Sequence, residues 1–144
     1  RYKFNVQENV KGLEFILKLR PVTYQLDARA FETKVNPEYA QFISTNNVLN
    51  NSYTEANAVR RTGFIAQEVE SAATSTGYLF NGIKKPATSN DHYSLSYETF
   101  VVPLVKAVQE QQALIDQQNK KIEQQELLIA ELVKEVKGIK ERVK

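Results

Sequence analysis

Residues 101–144 read VVPLVKAVQEQQALIDQQNKKIEQQELLIAELVKEVKGIKERVK. Every seventh residue of this stretch is a valine or an isoleucine. A second series of leucine, isoleucine and glutamine follows three positions after each of the first six. This is a heptad repeat, with the first series at position a and the second at position d. The a series is Val101, Val108, Ile115, Ile122, Ile129, Val136 and Val143, and the d series is Leu104, Gln111, Gln118, Gln125, Leu132 and Ile139.

The repeat predicts one long helix that packs against copies of itself. Valine and isoleucine are mediocre helix formers, so the pattern suits burial between helices better than it suits a lone helix. A continuous helix over the whole stretch would be about 65 Å long. A helix that packs only on its own globular domain is the alternative, but such a helix would not require the repeat to hold for six heptads.

The d positions favour a parallel trimer. Val or Ile at a with Leu at d favours a dimer, whereas Ile at both positions shifts the preference to higher orders, and here the d series is mixed. Three consecutive d residues, Gln111, Gln118 and Gln125, cost stability but fix the register, because their amides must meet one another to be satisfied. A trimer has room at its axis for three amides, and we therefore expect a homotrimer.

The residues before the repeat predict a small α+β head domain, residues 1–97, followed by the coiled-coil helix, residues 98–144. The chain has 144 residues, so about 100 remain for the head. That number suffices for one small domain that leans on neighbouring subunits for part of its core. Within the head, residues 44–57 are rich in Asn, Ser and Thr, and we expect a surface loop or an extended arm there.

Local patterns give the elements of the head. Alternation predicts short strands at residues 1–6, 22–26, 62–65 and 93–97. Apolar spacing predicts short helices at residues 10–20, which Pro21 stops, at 38–43 and from 66 to about 73. The pair Asn81-Gly82 predicts a hairpin turn between strands at residues 78–80 and 83–84. Ser96 is a candidate N-cap for the long helix, and Pro103 should kink that helix or mark its start.

Composition argues against several functions. The net charge is +2, and no Arg/Lys-rich helix leads into the repeat, so we expect no nucleic acid as partner. No apolar run approaches 18 residues, so we expect no membrane span. The chain has no cysteine and one histidine, His92, which leaves no metal-ligand set. His92 follows Asp91 directly, which is poor geometry for a Ser-His-Asp site. We expect no cofactor, no metal and no small-molecule substrate.

Four ordered motifs together resemble the C-terminal intramolecular chaperone of phage endosialidase tailspikes, the peptidase S74 family. They are RYKFNV at residues 1–6, LRPVTY at 19–24, GFIAQEV at 63–69, and the run from residue 97 to 108 into the coiled coil. The GFIAQEV segment is the most specific of the four. Residues 28–57 and 78–90 match least.

The resemblance implies a self-releasing chaperone of phage tail spikes and fibres. Such domains trimerise, register the β-structured stalk that precedes them, and then cut themselves off as serine peptidases. The family nucleophile is a serine five residues before a lysine partner. Carried over, the partner is Lys3, and the serine would lie three residues before Arg1. We therefore expect this chain by itself not to cleave, and we expect its upstream stalk to be the folding client, in the host cytoplasm during assembly.

Two other functions fit the same sequence. The first is a permanent structural trimerisation domain at the end of an adhesin or surface fibre, without cleavage; a serine three residues before Arg1 would separate the two. The second is a nuclear regulator related to the cellular members of the family, which would need a DNA-binding domain upstream.

Overall fold

The computed structural model describes residues 2–142 of the chain, apart from the side chain of Ser44. It shows a mixed α+β head and one long C-terminal helix, as the sequence predicts. The helices are α1 (Leu13–Ile16), α2 (Ala28–Val35), α3 (Ala40–Thr45), α4 (Asn47–Ala58), α5 (Ala66–Ser75) and α6 (Val101–Arg142), with 3-10 turns at Pro37–Tyr39 and Tyr97–Phe100. The strands are β1 (Val22–Gln25), β2 (Arg60–Gly63), β3 (Ile83–Lys84) and β4 (Ser94–Leu95).

The four strands form two separate two-stranded antiparallel sheets. Strand β1 pairs with β2 in the register Val22↔Gly63 to Gln25↔Arg60. Strand β3 pairs with β4, with Ile83 opposite Leu95. The hairpin expected at Asn81-Gly82 is therefore wrong, because residues 78–80 form no strand and β3 pairs with a strand further along the chain.

An aromatic cluster forms the core of the head. Phe15 of α1 is fully buried, and its ring centroid lies 5.1 Å from that of Phe80 and 5.2 Å from that of Tyr78. Phe80 in turn makes an edge-to-face contact with Phe100 at 4.7 Å, just before α6 begins. Such contacts add to the stability that burial of the rings gives. Because Phe100 belongs to this cluster, the head is anchored to the start of the long helix.

Helix α5 ends where the sequence needs a sharp turn into that core. Gly77 has a φ of +63°, a left-handed conformation that glycine adopts without steric cost. The N–H of Tyr78 donates to the carbonyl of Ala73 at 2.9 Å, and the N–H of Gly77 donates to that of Thr74 at 3.1 Å. This is a Schellman motif, and it turns the Tyr78 ring back onto Phe15.

The Asn-rich stretch is helical, contrary to the expected loop or arm. The Asn46 side chain accepts hydrogen bonds from the N–H groups of Val48 and Leu49, and thereby caps α4. The side chain of Asn57 accepts from the N–H of Ala28 at 2.9 Å, which ties the end of α4 to the start of α2. Asparagine here satisfies helix ends rather than breaking the helix.

Two elements near the N-terminus also differ from expectation. The strand expected at residues 1–6 is not formed over residues 2–6; Arg1 itself lies outside the described residues. Asn5 adopts a left-handed φ of 51°, which interrupts any extended run. The helix expected at residues 10–20 is shortened to the four residues of α1, since Gly12 begins it and Leu17 ends it.

Candidate assembly surface and N-terminal segment

The a and d side chains of α6 are exposed on the single chain. The exposed fractions of the six described a residues run from 41% at Ile115 to 63% at Val108. The apolar d residues Leu104, Leu132 and Ile139 are about equally exposed, and Gln111, Gln118 and Gln125 are also at the surface. Val143, the last predicted a residue, lies outside the described residues. Exposed apolar a residues along the whole helix, with glutamine at three of the d positions, are typical of an interaction surface rather than of a solvated face.

The head packs on a different side of α6. Around the circumference of a helix the heptad positions follow the order a, e, b, f, c, g, d. The buried residues of α6 are Pro103 at position c and Ala107 at position g, and Glu110, at the next c, is half-buried. The head therefore covers the c and g side of the first two heptads, and the a and d stripe stays open along the helix.

Helix α1 makes the closest contact between the head and α6. The N–H of Leu13 donates a 2.7 Å hydrogen bond to the Glu110 carboxylate. A Cβ added at Gly12 would lie 2.8 Å from the backbone N of Ala107, so only glycine fits between the two elements. This contact fixes where the N-terminal segment leaves the long helix.

The N-terminal segment, residues 2–10, is the part that the resemblance associates with cleavage. Tyr2, Phe4 and Val6 expose 103%, 90% and 81% of their surface, respectively. Lys3 is exposed, and no hydrogen bond or ion pair joins it to the rest of the described chain. Three exposed apolar side chains in five residues indicate a segment that another surface covers.

The family motifs meet at a structural junction. Arg20 of LRPVTY donates from Nε to the Glu68 carboxylate of GFIAQEV at 3.0 Å, and Val22 pairs with Gly63. The hydrogen bond from Arg20 lowers the pKa of Glu68 and raises that of Arg20. The backbone N–H of Phe64 donates to the Tyr97 hydroxyl at 3.0 Å. These motif residues hold the sheet, α5 and the start of the long helix together.

A groove of about 520 Å³ lies beside this junction and contains the single histidine. The Asp91 carboxylate accepts from the N–H groups of Ala87 and His92, and these bonds lower its pKa. The Nδ1 of His92 lies 3.8 Å from Asp91, and its ring meets Phe31 edge to face at 4.7 Å. Asp91 thus accepts from the backbone, and His92 packs on an aromatic ring.

The described part of the chain contains neither a metal-ligand cluster nor a membrane-spanning helix. Within residues 2–142, no group of three or more His, Asp or Glu side chains is placed to hold a metal ion. None of the helices in that range is both long enough and apolar enough to cross a bilayer.

Comparison with known proteins gives one family. The model of the family described as chaperone of endosialidase, peptidase S74, matches residues 1–78, which include α1 to α5 and the first three motifs. No curated protein and no solved structure matches the chain. Residues 79–144, with α6, lie beyond the family match.

Proposed function

Since this chain belongs to the chaperone of endosialidase family, we propose that it trimerises through α6 and registers an upstream fibre or tailspike stalk, from which it is then released by autoproteolysis. The chaperone role follows from the family. The observation that carries the assembly is the open a and d stripe of α6, combined with a head that packs on the c and g side and leaves the stripe clear.

Flanking positions favour three helices over two. Leu114 and Leu128 occupy g, Val105 and Val133 occupy e, and all four are exposed. They widen the apolar surface on both sides of the a and d stripe. A wider apolar surface needs more neighbouring helices to cover it, and each buried apolar Å² contributes about 25 cal/mol. The three glutamine layers then fix the register of the assembled helices.

Assembly through α6 explains how the chain would help its client. A β-structured trimeric stalk must align three chains before its long-range pairings offset the entropy of closing them. A coiled coil forms from local contacts and raises the effective concentration of the three upstream segments. Its register is then transmitted to the stalk through the head, which is anchored at Phe100 and Glu110.

The release step uses the N-terminal segment. In the proposed reaction, a serine three residues before Arg1 attacks the carbonyl carbon of the peptide bond preceding it, and a neutral Lys3 amine accepts the hydroxyl proton. The C–N bond breaks, the freed amine takes up the proton, and water hydrolyses the ester. A lysine becomes neutral near pH 7 only when burial lowers its pKa. Because Lys3 is exposed on the single chain, its burial would have to come from assembly, which would make cleavage depend on the trimer.

The test is a precursor that restores the upstream residues and part of the stalk. We expect the wild-type precursor to split just ahead of the serine on a denaturing gel. Lys3→Ala should stay whole while remaining trimeric by sedimentation, and the matched control Lys34→Ala, an exposed lysine of α2, should split normally. A precursor that trimerises but never splits would instead identify a permanent trimerisation domain. A precursor that stays monomeric would refute the assembly itself.

A further inference from the structure

Two valines on the first heptad of α6 lie outside the a and d stripe. Val102 at position b is 57% exposed, and Val105 at position e is 52% exposed. In a coiled coil the b position faces solvent. The coil itself would therefore not bury a valine at this position, and another surface would be needed to cover it. The b and e residues of the next three heptads are polar: Gln109, Gln112, Asp116, Asn119, Glu123 and Glu126. In this half of the helix the apolar b and e residues are therefore confined to the level of the head.

The two valines line a groove that the chain itself leaves open. Val10, Val101, Val102 and Val105 form its apolar lining, Gln7, Glu8, Lys106 and Gln109 line it as well, and its volume is about 490 Å³. The N-terminal segment thus runs beside the valines without covering them. Glu8 and Lys106 give the lining of the groove a charge of each sign.

Helix geometry indicates what would lie against this groove. In a parallel coiled coil, the g side of one helix faces the e side of the next. The head occupies the c and g side at the level of Pro103 and Ala107. The neighbouring helix would therefore present its e and b side, with Val105 and Val102, to that head. The valines occur at the height where the head of an adjacent copy would be found.

We propose that the groove lined by Val10, Val101, Val102 and Val105 is the docking surface for the head of an adjacent copy of this chain. The contact on that head is residues 11–18, which comprise α1 and its flanking residues and lie on the c and g side. The exposed Leu17 at the end of α1 is available for such a contact, at 77% exposure. This inference rests on the proposed parallel coiled coil and names a partner for the groove at the level of the head, including Val102 at position b, which the coil alone leaves exposed.

Docking of this kind would bury the N-terminal segment between two copies. Residues 7–10 form one wall of the groove, so an adjacent head seated there would lie against the same segment that carries Lys3 further upstream. The single chain offers that segment no cover. The composite surface would then supply the assembly-dependent burial that the cleavage step needs.

The experiment places a photo-crosslinker, p-benzoylphenylalanine, at position 105 of the full chain. Irradiation should give a covalent two-chain species on a denaturing gel, and its fragments should join position 105 to residues 11–18. The matched control carries the same group at Gln112, which is the e position one heptad further along, beyond the head. That control should give crosslinks to the partner's helix and none to residues 11–18.

Sedimentation of the same samples distinguishes a failure of the docking proposal from a failure of the proposed coiled coil. A trimer whose position-105 crosslinks stay within one chain, reach only the partner's helix or do not form overturns the docking proposal and leaves the coiled coil intact. A monomer overturns both. As a second measurement, Val102→Lys should lose hydrogen-exchange protection at residues 11–18 while staying trimeric, because position b faces away from the other helices of a coiled coil. The control Glu123→Lys, at a later b position that does not line the groove, should keep that protection, and unchanged protection in Val102→Lys would refute the docking.

Discussion

The head and the long helix differ in how far they bury their apolar side chains. The head buries Phe15 and Val69 almost completely and packs four aromatic rings around them. Helix α6 has 42 residues, and within it only Pro103 and Ala107 are buried, both by the head. Isolated helices gain little stability from valine and isoleucine. The head buries its core by internal contacts, whereas the helix leaves its apolar stripe exposed on the single chain.

The largest expected effect comes from placing charge in the apolar stripe. Ile122→Asp with Ile129→Asp should turn the proposed trimer into a monomer, because these carboxylates would be buried at its dry axis, where an unpaired charge costs several kcal/mol. Sedimentation equilibrium measures the change. Lys120→Asp with Lys134→Asp, at two f positions, should stay trimeric. Retention of the trimer by the first pair would show that this stripe is not the assembly surface.

The next largest effect should come from a substitution in the core of the head, which lowers the unfolding free energy of the head. Phe15→Ala removes the ring at the centre of the aromatic cluster, and we expect a loss of about 3–5 kcal/mol in unfolding free energy. Phe42→Ala, at a ring that is 58% exposed, should cost far less. Urea unfolding followed by circular dichroism at matched protein concentration gives both values. Equal losses would mean that the cluster does not hold the head together.

Replacing each of two glycines by alanine should change the stability of the protein in opposite directions. Gly12→Ala pushes a methyl group to within 2.8 Å of the Ala107 backbone nitrogen, and the overpacking should cost about 1–3 kcal/mol. Gly138→Ala adds a methyl group that meets nothing within 4 Å, and it should stabilise α6 by about 0.5–1 kcal/mol. Thermal unfolding of both variants beside the wild type is the measurement. A stabilising Gly12→Ala would contradict the close approach of α1 to α6.

The smallest effect is a pH dependence confined to the head. The pKa of Glu68 is lowered by its hydrogen bond from Arg20, and that of Glu70 is lowered by its bond from Lys85. Unfolded carboxyls bind protons at higher pH than these folded ones, so stability is full above the unfolded pKa and falls as pH drops through the folded pKa.

Melting temperatures between pH 7 and pH 3 test this dependence. Glu68→Gln should flatten the acid decline, whereas Glu55→Gln, on the exposed part of α4, should leave the decline as in the wild type. An identical decline in the wild type and in Glu68→Gln would show that the Arg20 contact contributes nothing to it.

Much of the helix and part of the head follow from sequence patterns. The strand at residues 22–26 and the helix from residue 66 are confirmed as β1 and α5, with small changes at their ends. The long helix also follows its heptads. Residues 44–57 were expected as a loop because asparagine usually marks turns, yet Asn46 caps α4 and its neighbours continue the helix. Local sequence does not distinguish an asparagine that caps a helix from one that forms a turn, because the difference depends on whether the following helix is stabilised by packing.

Only part of the candidate site could likewise be predicted from the sequence. The a and d stripe could be predicted because seven-residue spacing is a local property of one helix. The role of Lys3 stays a prediction that comes from family resemblance, since no hydrogen bond or ion pair joins this exposed side chain to the described residues. The groove at Val102 and Val105 escaped sequence reasoning, although two valines at b and e beside polar residues in later heptads were the available signal.

The sequence by itself determined the long helix and the face it turns outward, because both follow from backbone periodicity along a single element. Tertiary structure alone decided that β1 pairs with β2, that Phe15 centres the core, and that the head lies on the c and g side of α6. These choices depend on contacts between residues distant in the chain, such as Leu13 with Glu110. Such contacts follow from the complementary shapes of packed side chains, which periodicity does not encode.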